Sequence, residues 1–94
     1  MLNQYPKEKQ SIRIALKKAS SHINTVDKMI DEDEYCIDII QQLKAVHGLI
    51  HSAMGRTLEL HLSSCFKKGM ESSSEKKKRE LIDEIIKVTR ITNK

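Results

Sequence analysis

Aromatic side chains are almost missing from this chain: two Tyr, one Phe and no Trp among 94 residues. Proline occurs once and glycine three times. That shortage argues against a sandwich or barrel and leaves a helical protein built on Ile, Leu, Val and Ala. No hydrophobic run approaches the ~20 residues of a membrane span, and the opening "MLNQYPKEKQ" lacks the apolar centre of a signal peptide. A cytoplasmic protein with no membrane partner is expected. The two cysteines are too few for a disulfide scaffold, and in a reducing compartment they are thiols or ligands. A glycine-rich phosphate loop and a serine-nucleophile arrangement are absent as well. Hence no enzyme, no catalytic residue and no small organic substrate is expected.

What the chain does have is charge, 32% of its residues, with a formal net +4. One copy is only mildly biased toward polyanions. A tetramer would multiply that charge roughly fourfold, enough to attract DNA by counterion release. A chain this short buries a small core, so it reads as one domain over 1–94 that completes its core by self-association.

The pattern of apolar residues divides the chain into a flexible arm (1–6) and helices at about 7–31, 33–68 and 72–90. Ile12, Leu16, Ala19, Ile23, Val26 and Met29 or Ile30 recur at three- and four-residue intervals in the first. The acidic cluster "DEDE" interrupts them, and Asp33 is the expected cap of the second helix. Along that helix Ile37, Ile40, Leu43, Val46, Ile50, Met54 (or Ala53), Leu58, His61 and Cys65 share a face. Gly69 is its expected stop, and Ser72 with Glu75 forms a capping box for the third helix. Leu81, Ile82, Ile85 and Val88 line the buried side of that last helix.

One short stretch carries chemistry. In "LELHLSSCF", His61 and Cys65 stand four residues apart, on one helix face, where both can grip one ion. Cys36 lies 25 positions upstream of His61, roughly 37 Å along a continuous helix. No ion bridges that gap within one chain. An antiparallel second copy would bring its Cys36 beside His61 and Cys65, with the two-fold axis near residues 49 and 50. Gly48 lies close to that crossing, where a missing side chain permits close approach. Such a dimer holds two equivalent Cys–His–Cys sites. Two thiolates and one imidazole are a soft, three-coordinate set that suits Cu(I) better than four-coordinate structural Zn(II). The second imidazole nitrogen needs a partner to orient the ring, and Tyr35 or a carboxylate such as Glu80 is available.

The stretches "MIDEDEYCIDIIQQLKAV", "LELHLSSCF" and "RELIDEI" closely resemble the CsoR/RcnR family of metal-sensing repressors, over about residues 10–88. The Cys…His-x3-Cys pattern is that of its copper-sensing branch. The resemblance implies an all-α, three-helix protomer, an antiparallel helical-bundle dimer built on helix two, and a dimer-of-dimers tetramer. It implies Cu(I) held by Cys36 of one protomer with His61 and Cys65 of the other. Tyr35 and Glu80 match the residues that couple the histidine to the DNA surface in that branch. It further implies that metal binding weakens operator binding. Nickel and cobalt sensors resemble the chain less, because Met1 to Pro6 holds no histidine and the last ligand is Cys65. A persulfide sensor would keep both thiols without needing His61.

One departure stands out. Family members carry R-L-x-R-I-x-G-Q in helix one as part of the DNA surface; here the stretch is "ALKKASSH", with Ala15 and Lys18 at the arginine positions and Ser21–His22 at the Gly–Gln pair. Lysine does not reproduce bidentate arginine contacts. Arg13, Lys17, Lys18 and Arg56 are the remaining candidates for operator DNA, with the run Lys76 to Arg79 as a solvated helix end. A cytosolic Cu(I)-binding protein with weakened or lost DNA binding is therefore the alternative to a repressor, and a thiol-based persulfide sensor is a further one. His22, His47 and His51 lack a thiol at helical spacing and read as surface or interface imidazoles. Met29 and Met54 read as core.

Overall fold

The computed structural model describes residues 2–92, and every regular element among them is helical. A 3-10 turn at Leu2–Gln4 leads into α1 (Pro6–Asp31), with Pro6 at the first helical position, where its fixed φ and missing N–H fit. Met1, the first residue of the expected arm, lies outside the described residues. Then come α2 (Cys36–His61), a π-helical stretch at Leu62–Phe66, the single turn α3 (Lys67–Met70) and α4 (Glu75–Thr92). Contacts divide the chain into two compact units, one ending at Arg56 and one beginning at Thr57.

In the first unit α1 turns back through a short acidic link. Asp33 does not cap α2 as the sequence led us to expect. It adopts φ 55° and closes α1 instead: the Asp33 N–H donates to Ile30 O (3.1 Å) and the Glu34 N–H to Met29 O (3.0 Å). This is the paired-carbonyl termination that a left-handed residue makes possible, and aspartate tolerates that conformation better than most residues. The Tyr35 carbonyl then accepts from Asp38 N and Ile39 N, starting α2 at Cys36.

Between α1 and α2 the core is thin. Ile12, Ala15 and Ala53 cluster, with Ala19, Val26 and Val46 also buried. The expected α1 stripe splits: Ile12, Ala19 and Val26 are inside, whereas Leu16 (48% exposed), Ile23 (49%) and Ile30 (58%) form a second apolar row facing away. The expected α2 stripe divides likewise. Val46 and Ala53 are buried, but Ile37, Ile40, Leu43, Ile50 and Met54 are exposed. Both helices are apolar on two sides, and the chain's own packing uses one.

In the second unit α4 folds back on α3. Gly69 is buried within α3 rather than ending it, and a Cβ there would overlap Leu81 Cδ1. Its missing side chain is what lets Leu81 seat. Ser74, not Ser72, caps α4: Lys77 N donates to Ser74 Oγ at 3.2 Å, while Ser72 Oγ accepts from Ser74 N in the turn before. Leu81 and Ile85 are half-buried, and Ile82 and Val88 point outward.

Candidate metal centre and cationic groove

Cys36 is the first residue of α2, a free thiol on the exposed side of the helix. Beside it Tyr35 is 67% exposed. Its backbone caps the helix, and its phenol is solvent-facing. The first turn of α2 thus presents a thiol and a hydroxyl on an open surface.

His61 and Cys65 sit in a different setting. Both are half-buried, at the junction where α2 passes into the π-helical stretch. Two consecutive serines account for that change of winding. Ser63 Oγ donates to Leu60 O at 3.2 Å, and the buried Ser64 donates to the same carbonyl. A carbonyl engaged by side-chain hydroxyls is drawn away from the regular i→i+4 ladder, which widens the turn. Such π stretches recur at functional positions. The Ser64 hydroxyl also lies 3.7 Å from Cys65 Sγ, and the His61 ring is tilted 55° against Phe66 with centroids 6.5 Å apart. Cys65 thus has the Ser64 hydroxyl beside its thiol, and His61 has the Phe66 ring beside its imidazole. Neither the serine pair nor Phe66 entered the sequence reading, although "SS" inside a helical run was a visible signal.

Glu80 is exposed on α4. Within one chain, no three His, Cys, Asp or Glu side chains among the described residues gather to hold a metal. The donors nonetheless fit a soft monovalent ion by type: two unpaired thiols and an imidazole.

The DNA candidates separate into two pairs. Lys18 and Arg56 line one open groove of about 530 Å³, together with Pro6, Lys7, Gln10, Ser11 and Ile14. Arg13 and Lys17 are exposed but outside it. The Arg56 guanidinium reaches from α2 to donate to Ser11 Oγ on α1. Ala15, at the first arginine position of the family pattern, is buried in a cluster with Ile12 and Ala53. Arg56, one turn beyond Ala53, places a cation on the same helix surface from the other side. His22, at the glutamine position of that pattern, is half-buried, and its Nε2 donates to Gln42 Oε1 on α2. It is a packing residue between α1 and α2.

Residues 8–90 match the family described as metal-sensitive transcriptional repressor. The chain belongs to that family. Its members are repressors and not enzymes. Among similar proteins, the copper-sensing transcriptional repressor CsoR of Bacillus subtilis is 31% identical over 89% of this chain and 84% of its own length. CsoR of Mycobacterium ulcerans is 28% identical over 98% of this chain and 76% of its own. The repressor RicR of Mycobacterium tuberculosis, also named copper-sensing, is 33% identical over 65% of this chain, and the match spans 64% of RicR. No solved structure matches significantly. No helix among the described residues is long and apolar enough to cross a membrane.

Proposed function

We propose that this repressor-family protein is a cytosolic copper sensor in which Cu(I) is held by Cys36 of one protomer and by His61 and Cys65 of a second. The observation that carries the reading is the incompleteness of the site in one chain, set beside the apolar face left open along the same helix. Ile40, Leu43, Ile50 and Met54 form a row 38–57% exposed, which a second antiparallel copy would cover. A Cβ at Gly48 would meet nothing within 4 Å inside the protomer. A helix glycine costs about 1 kcal/mol relative to alanine, and close approach of a partner helix gives it a purpose. The names of the similar proteins support copper as the metal, and the thiol-rich donor set supports its monovalent state.

In this reading the half-buried His61–Cys65 pair waits at the π stretch, and an exposed Cys36 arrives from the other chain. Cys36 of one protomer with His61 and Cys65 of the other would hold the ion, and its preference for soft donors would link the two protomers. Tyr35 and Glu80 are the groups that pass occupancy from the imidazole toward the DNA-binding surface. That surface is the groove lined by Lys7, Lys18 and Arg56, three cations that attract phosphates by counterion release. Dimers pair into tetramers through the outward row Leu16, Ile23 and Ile30.

A Cu(I) titration against a competing chelator tests the first half: about one tight ion per chain is expected, and failure to compete would end the copper reading. Gel shifts on the DNA upstream of the protein's own gene test the second, with retardation expected without metal and release with Cu(I). The buried Ala15 favours one alternative, a Cu(I)-binding protein that no longer represses. Tight Cu(I) binding with no shift even at low salt would select it.

A further inference from the structure

His47 and His51 stand four residues apart in α2, both exposed, with ring centroids 6.4 Å apart and planes tilted 31°. The third histidine of this unit, His22, is committed to Gln42. Successive residues turn about 100° around a helix axis, so His47 lies only roughly 20° from Cys36, in line with Ile40, Leu43, Ile50 and Met54. His51 flanks the same line. The pair therefore occupies the middle of the apolar face assigned above to the second copy.

Register places the two pairs together. An axis that joins position 36 with positions 61 and 65 has its centre between 48 and 51, so position 47 falls level with about position 52 of the other chain. The partner's His51 is then within about one residue rise, 1.5 Å along the axis, of His47. Two imidazoles from each chain would converge at the centre of an otherwise apolar seam. Buried there without partners, each ring nitrogen would carry a desolvation cost of about 1–3 kcal/mol. A shared ion removes that cost. The donor set is four neutral nitrogens, without sulfur or carboxylate. It favours a divalent ion of borderline softness in tetrahedral geometry, and not Cu(I).

We propose that His47 and His51, joined by the same two residues of a second copy, form a metal site on the dimer axis for a divalent ion such as Zn(II). Each chain supplies half of the ligands, and no other residue type is required. This inference rests on the antiparallel dimer of the preceding subsection. Occupancy of the axis ties the dimer together independently of the Cys–His–Cys sites, so dimer stability rises with divalent metal by mass action.

The test uses the full chain carrying Cys36→Ser and Cys65→Ser, which removes the thiolates as competing ligands. Zn(II) calorimetry is expected to give one ion per two chains. Co(II) in its place is expected to show tetrahedral d–d bands with no sulfur-to-cobalt charge-transfer band. Adding His47→Gln or His51→Gln should abolish both signals, while His22→Gln leaves them intact. Sedimentation should show the monomer–dimer step tightening at least tenfold with Zn(II). A dimer that binds no Zn(II), or binds it equally well after His47→Gln, overturns the axis site and leaves the dimer reading standing. A monomer at all concentrations, or one ion per chain, overturns the shared site; the monomer result also removes the dimer reading.

Discussion

The two ends of the proposed copper site are built differently. At one end Cys36 opens a regular helix as an exposed residue with a free thiol. At the other, His61 and Cys65 are half-buried along a π-helical stretch, with Ser64 and Phe66 beside them. The contrast teaches that preorganisation is concentrated in one half. A donor pair held in place needs little ordering when an ion binds, whereas a lone exposed thiol contributes affinity only when its carrier is delivered by another chain. Burial also separates the roles. The His61–Cys65 end belongs to the packing of its unit, and the Cys36 end does not.

Substitutions that strike one end and not the other sharpen this contrast. Cys36→Ala is expected to lower Cu(I) affinity by more than about a hundredfold, beyond the loss typical of a group that merely orients a ligand. It should move the chemical unfolding midpoint little, within about 0.5 kcal/mol, because the residue is exposed. Cys65→Ala should lose as much affinity and also some stability. Equal stability losses at the two ends would break the comparison.

Next in size is Gly69→Ala. A Cβ there overlaps Leu81 Cδ1, the end of a flexible half-buried side chain that must turn aside, with a cost of about 1 kcal/mol, the low end for overpacking, in urea denaturation. Leu81→Ala on that background should restore part of the loss if the clash is the cause. Ser64→Ala comes after it. Removing a buried hydroxyl that back-bonds to Leu60 should cost about 1 kcal/mol or less. Cu(I) affinity should fall by several-fold if the π stretch positions Cys65, and stay constant if it does not. Smallest is Arg56→Ala, which should lower DNA affinity uniformly across sequences and reduce the slope of log K against log salt by about 0.9. An unchanged slope in a gel-shift salt series would remove the groove from the DNA surface.

Much of the all-helical layout was legible because apolar residues recur at helical spacing through α1, α2 and α4. The faces were harder. A helix that is apolar on two sides gives one broad signal, and periodicity cannot say which row meets its own chain. Leu16, Ile23 and Ile30 alternate with Ile12, Ala19 and Val26 on that account. Caps were misplaced where several polar residues compete locally: Asp33 and Ser72 have the right chemistry, but the left-handed φ and the bond from Lys77 assign the roles to other positions. The π stretch could have been read from Ser63 and Ser64, two adjacent hydroxyls able to bond the same carbonyl. Arg56 crossing to Ser11 had no local signal, since it depends on how α1 and α2 pack. At the candidate metal centre spacing singled out Cys36, His61 and Cys65, of which only His61 and Cys65 lie along one stretch of the chain, at the π-helical turn. His47 and His51 stand one turn from each other and have no thiol at helical spacing, so a thiol-centred pattern gives them no signal.

The central claim is that the copper site closes only between two chains. Mixing subunits tests it most directly. A Cys36→Ala protein and a Cys65→Ala protein, each lacking a tight site alone, are unfolded together, refolded as an equal mixture and titrated with Cu(I). Random pairing puts half of the dimers in the mixed form, each with one intact site, so about a quarter of the wild-type capacity should return. A mixture that binds no more tightly than its two components, although mixed dimers form, would contradict the account.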